Sequence, residues 1–358
     1  MFMDQKTKKL KIGIYNPYFD SFGGGERYVL TLAEHWSKTH DVSVFWNTPS
    51  FLSEATARFG LNLSKVKIVP NIFGTTRFVK KLIESASYDL IFFLSDGSVP
   101  TSLARYNILH FQVPFRSVFM SPWKAMRYQS VVVNSEFTKE HLDHSFSIPV
   151  SVIYPPVDID EFVGKKKTKT ILSVGRFNGL YGAKKQDVLI ESFIAASKRK
   201  PFSGWKLVLA GGCLETDRAY VEMLKQQAKG YPIEFMVNCS FKTLKMLYET
   251  ANIYWHAAGF GETRPENMEH FGITTVEAMA AGSIPVVYNA GGQPEIVTHN
   301  KNGYLWTTKE ELINLTEHII TNEKVTMMIR KEAVKNAERF SKVKFGEAFD
   351  ELLQFICN

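Results

Sequence analysis

Cysteine is scarce in this 358-residue chain. Cys213, Cys239 and Cys357 are odd in number and far apart, which excludes a disulfide framework and a paired-cysteine metal site. There is no HExxH and no His/Cys cluster at ligand spacing. No window approaches the ~18 consecutive apolar residues of a membrane span. The polar start MFMDQKTKKL has no signal-peptide hydrophobic stretch, so a reducing, cytoplasmic setting is expected. Strong charge bias is missing too: 43 Lys+Arg against 36 Asp+Glu leave a net of +7. Residues 1–157 carry 17 basic and 12 acidic side chains, yet moving the boundary to 164 takes in Asp158, Asp160 and Glu161 and cuts that excess from +5 to +2. Without a basic half or stripe, a nucleic-acid-binding protein is not expected. A mildly basic chain favours phosphate-bearing ligands or an anionic membrane surface.

What the chain does have is 45% hydrophobic residues, enough for sizeable cores, and a repeated alternation. KIGIYNP (11–17), DVSVFWN (41–47), VKIVP (66–70), YDLIFFLS (88–95), NILHFQV (107–113) and VVVNS (131–135) read as strands. A second series is TKTILSVGRF (168–177), WKLVLAGG (205–212), IEFMVN (233–238), NIYWHAA (252–258) and IPVVYN (284–289), with helical periods at 185–198, 216–229 and 241–251. The runs are nearly continuously apolar, as strands covered on both faces should be. This βαβα pattern occurs twice and predicts an α/β protein of two Rossmann-like domains with parallel sheets facing a cleft. The break falls at YPPVDIDEFVGKKKTKT (154–170), where paired prolines precede a lysine-rich stretch, and after residue 307 the chain reads as mostly helical.

The most informative stretch is EHFGITTVEAMAAGSIPVVYNAGGQPEIV, residues 269–297. Thr274 or Thr275 can start a helix, and Gly272 and Ile273 then bring backbone N–H groups and a favourable dipole to a phosphate. Gly272 also lets a ligand approach the main chain closely. Glu269 and Glu277 flank that spot and can accept hydrogen bonds from sugar hydroxyls. Glu277 has a second reading of equal weight when taken alone, because Thr274-x-x-Glu277 is also a capping box.

The whole stretch resembles the E-x7-E signature of retaining glycosyltransferases of the two-Rossmann GT-B fold, family 4, and the resemblance extends from residue 11 to about 350. FGGGERYVLTLAEHW (22–36) is similar to that family's glycine loop against the donor diphosphate, which implicates Gly24 and Gly25. ILHFQVP (108–114) resembles the strand whose histidine lies near the transferred sugar, making His110 a candidate against the alternative of a satisfied core histidine. SVGRF (173–177) and KKQDVLIESF (184–193) resemble the pair that clamps the diphosphate through Arg176 and Lys184. Lys185 is an open alternative, because the loop NGLYGA (178–183) is slightly long. EHFGITTVEAMAAG and HFQVP are also similar to eukaryotic mannosyltransferases of the lipid-linked oligosaccharide pathway. GFGETRPENM (259–268), just before Glu269, departs from the family pattern.

The resemblance implies an acceptor-side domain of residues 1–156, joined by a returning C-terminal helix at 341–358, and a donor domain of residues 157–340. It implies retaining transfer of a hexose, mannose or glucose-type, from a UDP-, GDP- or ADP-sugar to a glycan, lipid-linked or small-molecule acceptor, with no cofactor. Donor binding would fall to Gly24, Gly25, Arg176, Lys184, Glu269, Phe271, Gly272, Ile273 and Glu277, and catalysis to His110, Arg176, Lys184 and Glu269. No metal site is expected, since Asp158-x-Asp160 follows Pro155-Pro156 in the linker and not the end of a strand. RFVKKLIESA (77–86) and FRSVFMSPWKAMRY (115–128) mix basic and large apolar residues, which suits peripheral membrane contact through the first domain as well as a solvated amphipathic helix. A sugar-nucleotide epimerase of the same fold and a non-catalytic nucleotide-sugar-binding subunit are the alternatives.

Overall fold

Leu90, Ile91, Phe92, Phe93 and Leu94 are all buried. A strand can be apolar on every side chain only where helices cover both faces of its sheet. In the computed structural model, which describes residues 9–21, 23–74, 78–179 and 184–357, this run is a central strand. The chain divides into two compact units, Met1–Pro156 with Phe345–Asn358, and Val157–Lys344.

The first unit holds a seven-stranded parallel sheet in the order β3-β2-β1-β4-β5-β6-β7. Its strands are β1 (Lys11–Tyr15), β2 (Asp41–Phe45), β3 (Lys67–Val69), β4 (Leu90–Leu94), β5 (Tyr106–Phe111), β6 (Ser130–Val133) and β7 (Val150–Val152). Side chains alternate between two cores: Leu90, Phe92, Ile108 and Val132 enter one, and Ile91, Phe93, Leu109 and Val131 the other. The first core is completed by Trp36 from the helix Gly24–Trp36 and by Phe345, Phe349, Leu352, Leu353 and Ile356 from the helix Lys342–Cys357. Gly346 allows the close approach there, since a Cβ would fall 2.5 Å from the His35 ring.

The second unit holds a six-stranded parallel sheet in the order β10-β9-β8-β11-β12-β13. Its strands are β8 (Thr168–Val174), β9 (Lys206–Gly211), β10 (Ile233–Val237), β11 (Ala251–His256), β12 (Ile284–Tyr288) and β13 (Tyr304–Trp306). The α/β reading with two parallel sheets is therefore correct. Two strands escaped it. β7 and β13 have three residues each at a sheet edge and were not picked out, whereas β3, equally short and also at an edge, was read within the run VKIVP (66–70). The stretch read as a linker is in part ordered structure of this unit: Val157 is fully buried and pairs with Ser341, and Phe162 packs on Tyr248. Among the described residues no helix is long and apolar enough to cross a membrane.

Strands β8 and β9 approach so closely at their carboxyl ends that a Cβ on Gly211 would lie 2.0 Å from the carbonyl oxygen of Gly175. Gly60 is different: it is left-handed (φ +66°) with open space around it. Gly211→Ala should lower unfolding stability by about 2 kcal/mol or more, because backbone must move to admit the methyl group. Gly60→Ala should cost only about 1 kcal/mol of left-handed strain. Urea titration of both variants checks the difference, and equal costs would contradict the close approach.

Candidate functional site

In the second sheet the chain runs from β8 outward to β9 and β10, then crosses back to β11 on the other side of β8. The two connections diverge beyond the carboxyl ends of β8 and β11, and open α/β sheets bind ligands in the crevice that this reversal creates. Residues following β8 supply Arg176 and Lys184; β11 ends on His256 and is followed by Glu269. Across 85 residues of sequence, the Lys184 ammonium meets Glu269 Oε2 at 2.5 Å. The same oxygen accepts from His256 Nε2 at 3.0 Å. Burial alone would raise the Glu269 carboxyl. The Lys184 charge and the His256 hydrogen bond override it and hold the group far below the usual carboxylate range. Burial pushes the His256 imidazole below its ordinary value, against the pull of Glu269. A neutral His256 that donates through Nε2 leaves Nδ1 bare, and that buried atom has no partner among the described residues.

Glu269 owes its placement to two glycines. A Cβ on Gly291 would lie 2.1 Å from the Glu269 carbonyl oxygen, and the Gly292 N–H donates to that oxygen at 2.8 Å. Gly272 (φ +121°) then turns the chain into the helix Ile273–Ala280 and is its N-cap. The capping-box reading of Glu277 fails here, because the helix begins before Thr274 and Glu277 lies beyond its first turn. The Thr274 and Thr275 hydroxyls are bonded to Tyr254 and Gln293, while the buried Glu277 carboxylate accepts from the Tyr248 hydroxyl at 2.9 Å. Phe271 points into the core against Phe340, so only its backbone is left for a ligand. Half-buried Ile273 opens the helix, where the positive end of the dipole lies.

The two adjacent lysines go separate ways. Lys184 lays its stem along Gly175, where a Cβ would fall 2.9 Å from its Cγ. Lys185 adopts left-handed backbone (φ +51°, ψ +42°) as N-cap of the helix Gln186–Ala196, a conformation that costs a lysine about 1 kcal/mol or more. Its ammonium pairs with Glu262 at 2.6 Å. Arg176 is exposed at the end of β8, its carbonyl held by the Gln186 side chain at 3.1 Å. Of the loop read between Arg176 and Lys184, residues 180–183 lie outside those described.

In the first unit, Gly24 and Gly25 open the helix Gly24–Trp36 behind the N-cap Gly23, whose N–H donates to Glu26; Phe22 is outside the described residues. A Cβ on Gly25 would fall 2.9 Å from Gln112 Oε1. His110 is not at an open strand end. It is the penultimate residue of β5, fully buried, and stacked on Tyr28 at 4.2 Å. Nδ1 meets the Val132 carbonyl at 3.1 Å and Nε2 meets Gln112 Nε2 at 3.2 Å. The carbonyl fixes the proton on Nδ1, so both ring nitrogens are satisfied within the protein. Burial lowers this imidazole to about 3. Asp158, one half of the DxD pair, is held by Lys342.

His256, Glu262, Gln112 and Tyr248 were not singled out by the sequence. Gln112 and Glu262 lie within stretches that the sequence did mark, HFQVP and 259–268, and His256 is the one polar side chain after Asn252 and Tyr254 in the run NIYWHAA (252–258).

Residues 158–339 match the family described as glycosyl transferases group 1, and residues 22–161 match glycosyltransferase family 4. The chain is 30% identical over 252 residues to the GDP-Man:Man(3)GlcNAc(2)-PP-Dol alpha-1,2-mannosyltransferase of Dictyostelium discoideum, covering 64% of this chain and 47% of that protein. It spans about half the length of the curated relatives it matches. Among solved structures it is similar to a glycosyltransferase from Rickettsia africae, with a TM-score of 0.75 at 17% identity over 98% of this chain and 99% of that one. It is also similar to Anabaena HepE in complex with UDP, with a TM-score of 0.73 at 20% identity over 96% of this chain and 100% of that one. These likenesses establish the GT-B fold.

Native His110 stays neutral down to about pH 3, whereas the same side chain in the unfolded chain takes up a proton near its ordinary 6.5. Its stabilisation is therefore complete above pH 6.5 and is lost as the pH falls through the window between those values. Wild-type stability should drop by about 2 kcal/mol from this group alone between pH 7 and pH 5. That part of the dependence should be missing in His110→Gln. Urea unfolding at the two pH values measures it, and parallel losses in both proteins would contradict the buried neutral imidazole.

Proposed function

Because the chain belongs to the glycosyl transferases group 1, we propose that it moves a hexose from a nucleotide-diphospho-sugar to an acceptor hydroxyl, retaining the anomeric configuration and needing no divalent metal. The observation that carries this reading is the meeting of Lys184, Glu269 and His256 at the β8/β11 reversal. As the sugar–diphosphate bond breaks, negative charge grows on the departing oxygen. Arg176, Lys184 and the amides at the start of the helix Ile273–Ala280 supply fixed positive potential for it. Glu269 holds sugar hydroxyls and Glu277 the ribose hydroxyls. The acceptor oxygen attacks the anomeric carbon on the face that the diphosphate leaves, through an oxocarbenium-like transition state, and its proton passes to the leaving diphosphate. We assign His110 to orienting the Gln112 amide, since its own nitrogens are engaged. Fixed charges in place of a metal are supported by Asp158, whose carboxylate is occupied by Lys342.

Mannose is the favoured sugar and a GDP-sugar the favoured donor, because the curated relatives are named as mannosyltransferases that use GDP-Man. Their names also favour a lipid-linked glycan as acceptor; on our reading the first unit binds it at the inner face of a membrane. In that unit Phe78, Val79, Ile83, Phe119, Trp123 and Met126 are exposed, interspersed with Lys80, Lys81, Arg116 and Lys124. Burial, and after it the charge of Lys81, holds the Lys124 ammonium below its ordinary value. Cations among apolar side chains complement an anionic lipid surface.

Calorimetric titration with GDP-, UDP- and ADP-sugars should find one that binds selectively, and no binding of any would sink the proposal. Transfer should persist in excess EDTA. Arg176→Ala and Lys184→Ala should each lose about 2–4 kcal/mol of transition-state stabilisation, comparable to deleting an oxyanion donor. Activity that vanished with EDTA and returned with Mg²⁺ would refute the leaving-group assignment.

The chain should also sediment with mixed phosphatidylcholine and phosphatidylglycerol vesicles at low salt. A Phe119→Ser/Trp123→Ser double variant should not, although donor binding stays intact. Equal sedimentation of both proteins would remove the lipid surface.

A further inference from the structure

The left-handed backbone at Lys185 is unusual in kind. Among the described residues only Ser117, Asn238 and Asn300 share positive φ without being glycine, and asparagine tolerates that region far better than lysine does. Such a residue persists only where its surroundings over-determine it. Here the determinant is Glu262, whose Oε1 takes the Lys185 ammonium at 2.6 Å while its Oε2 accepts from Asn267 at 3.1 Å. The turn at Lys185 also sends neighbouring side chains to different carboxylates, Lys184 to Glu269 and Lys185 to Glu262.

Glu262 belongs to the segment 259–268 that departs from the family pattern. This segment closes on itself. Glu262 N–H donates to the Gly259 carbonyl at 3.0 Å, and Met268 lies against Gly259, where a Cβ would fall 3.4 Å from its side chain. Phe260 anchors one end against Tyr288 and Trp306. At its far end the segment runs directly into Glu269, the residue assigned to the sugar hydroxyls.

We infer that the Lys185–Glu262 pair is a tether: it fixes the segment 259–268 to the start of the helix Gln186–Ala196, positions Glu269 for the transferred sugar, and leaves Lys184 as the lysine that meets the diphosphate. The inference rests on the proposed donor site. Lys185 and Glu262 are positioning residues and do not touch the donor. The depressed Glu262 carboxyl, held down first by the hydrogen bond from Lys185 and then by Asn267, agrees with a standing ion pair.

The test measures two quantities, affinity for the free nucleoside diphosphate and turnover of the nucleotide sugar. Glu262→Gln and Lys185→Gln should each lower turnover roughly tenfold, as mispositioned groups do, while diphosphate affinity stays unchanged or rises as Lys185 is released. Lys184→Gln should lose diphosphate affinity by roughly tenfold or more. Lys185→Gly relieves the backbone strain, so it should keep the fold yet lose turnover like Lys185→Gln. The charge-reversed double variant Lys185→Glu/Glu262→Lys should restore most of the turnover. A loss of diphosphate affinity in Lys185→Gln as large as in Lys184→Gln would make Lys185 the clamp and overturn the tether. So would wild-type turnover in Glu262→Gln. If Lys184→Gln and Lys185→Gln both left diphosphate affinity unchanged, the donor site itself would be overturned instead.

Discussion

One carboxylate oxygen, Oε2 of Glu269, is reached by Lys184 from the segment after β8 and by His256 from the end of β11. Both donors approach a half-buried anion that burial alone would neutralise, and between them they keep it charged. The surrounding features serve this contact. Gly291 and Gly292 let the backbone at Glu269 come within hydrogen-bond reach of the turn after β12. Gly175 leaves room for the Lys184 stem, and Gly211 lets β9 crowd the end of β8. Each glycine sits where a single methyl group would push apart the strands or turns that aim the charged side chains.

The same constraint that builds the sheets decides what their polar residues can do. A parallel strand covered on both faces presents its interior positions to packed helices, so a polar side chain there must find its partners inside. His110 obeys this rule. It lies on the face covered by Tyr28 and spends both nitrogens on Val132 and Gln112. His256 is one residue farther along its own strand, at the very end of β11, where a carboxylate from the following segment can reach it. One step along a strand separates an imidazole that spends both nitrogens inside the sheet from one that reaches a carboxylate of the following segment.

Much of this was legible in the sequence, for identifiable reasons. Unbroken apolar runs such as LIFFL fixed the parallel α/β class, because no half-exposed strand reads that way. The spacing of Glu269, Gly272 and Glu277 marked a turn into a helix, and the turn is there, although glycine and not threonine caps it. Of the three-residue edge strands, β3 was legible within the longer run VKIVP, whereas β7 and β13 stayed hidden. Partners across long separations were hidden as well. Nothing in the local sequence of Lys185 names Glu262, 77 residues away, and nothing near Glu277 names the Tyr248 hydroxyl. Periodicity reports which face a residue is on; it says nothing of which distant side chain waits there.

The helix Lys342–Cys357 brings five apolar side chains, from Phe345 to Ile356, into the core of a unit whose other residues end at Pro156. That has a consequence for the order of events during synthesis. Chains emerge from the N-terminus, and domains fold as units once their residues are available. The second unit is contiguous from Val157 to Lys344, so it has its whole sequence in hand first. The first unit, although made earlier, must wait with one face of β1, β4 and β5 only partly covered, by the helix Gly24–Trp36, until residues 345–356 arrive. With residues up to Lys344 released and those beyond it still missing, the chain would therefore carry a finished second unit and an unfinished first one.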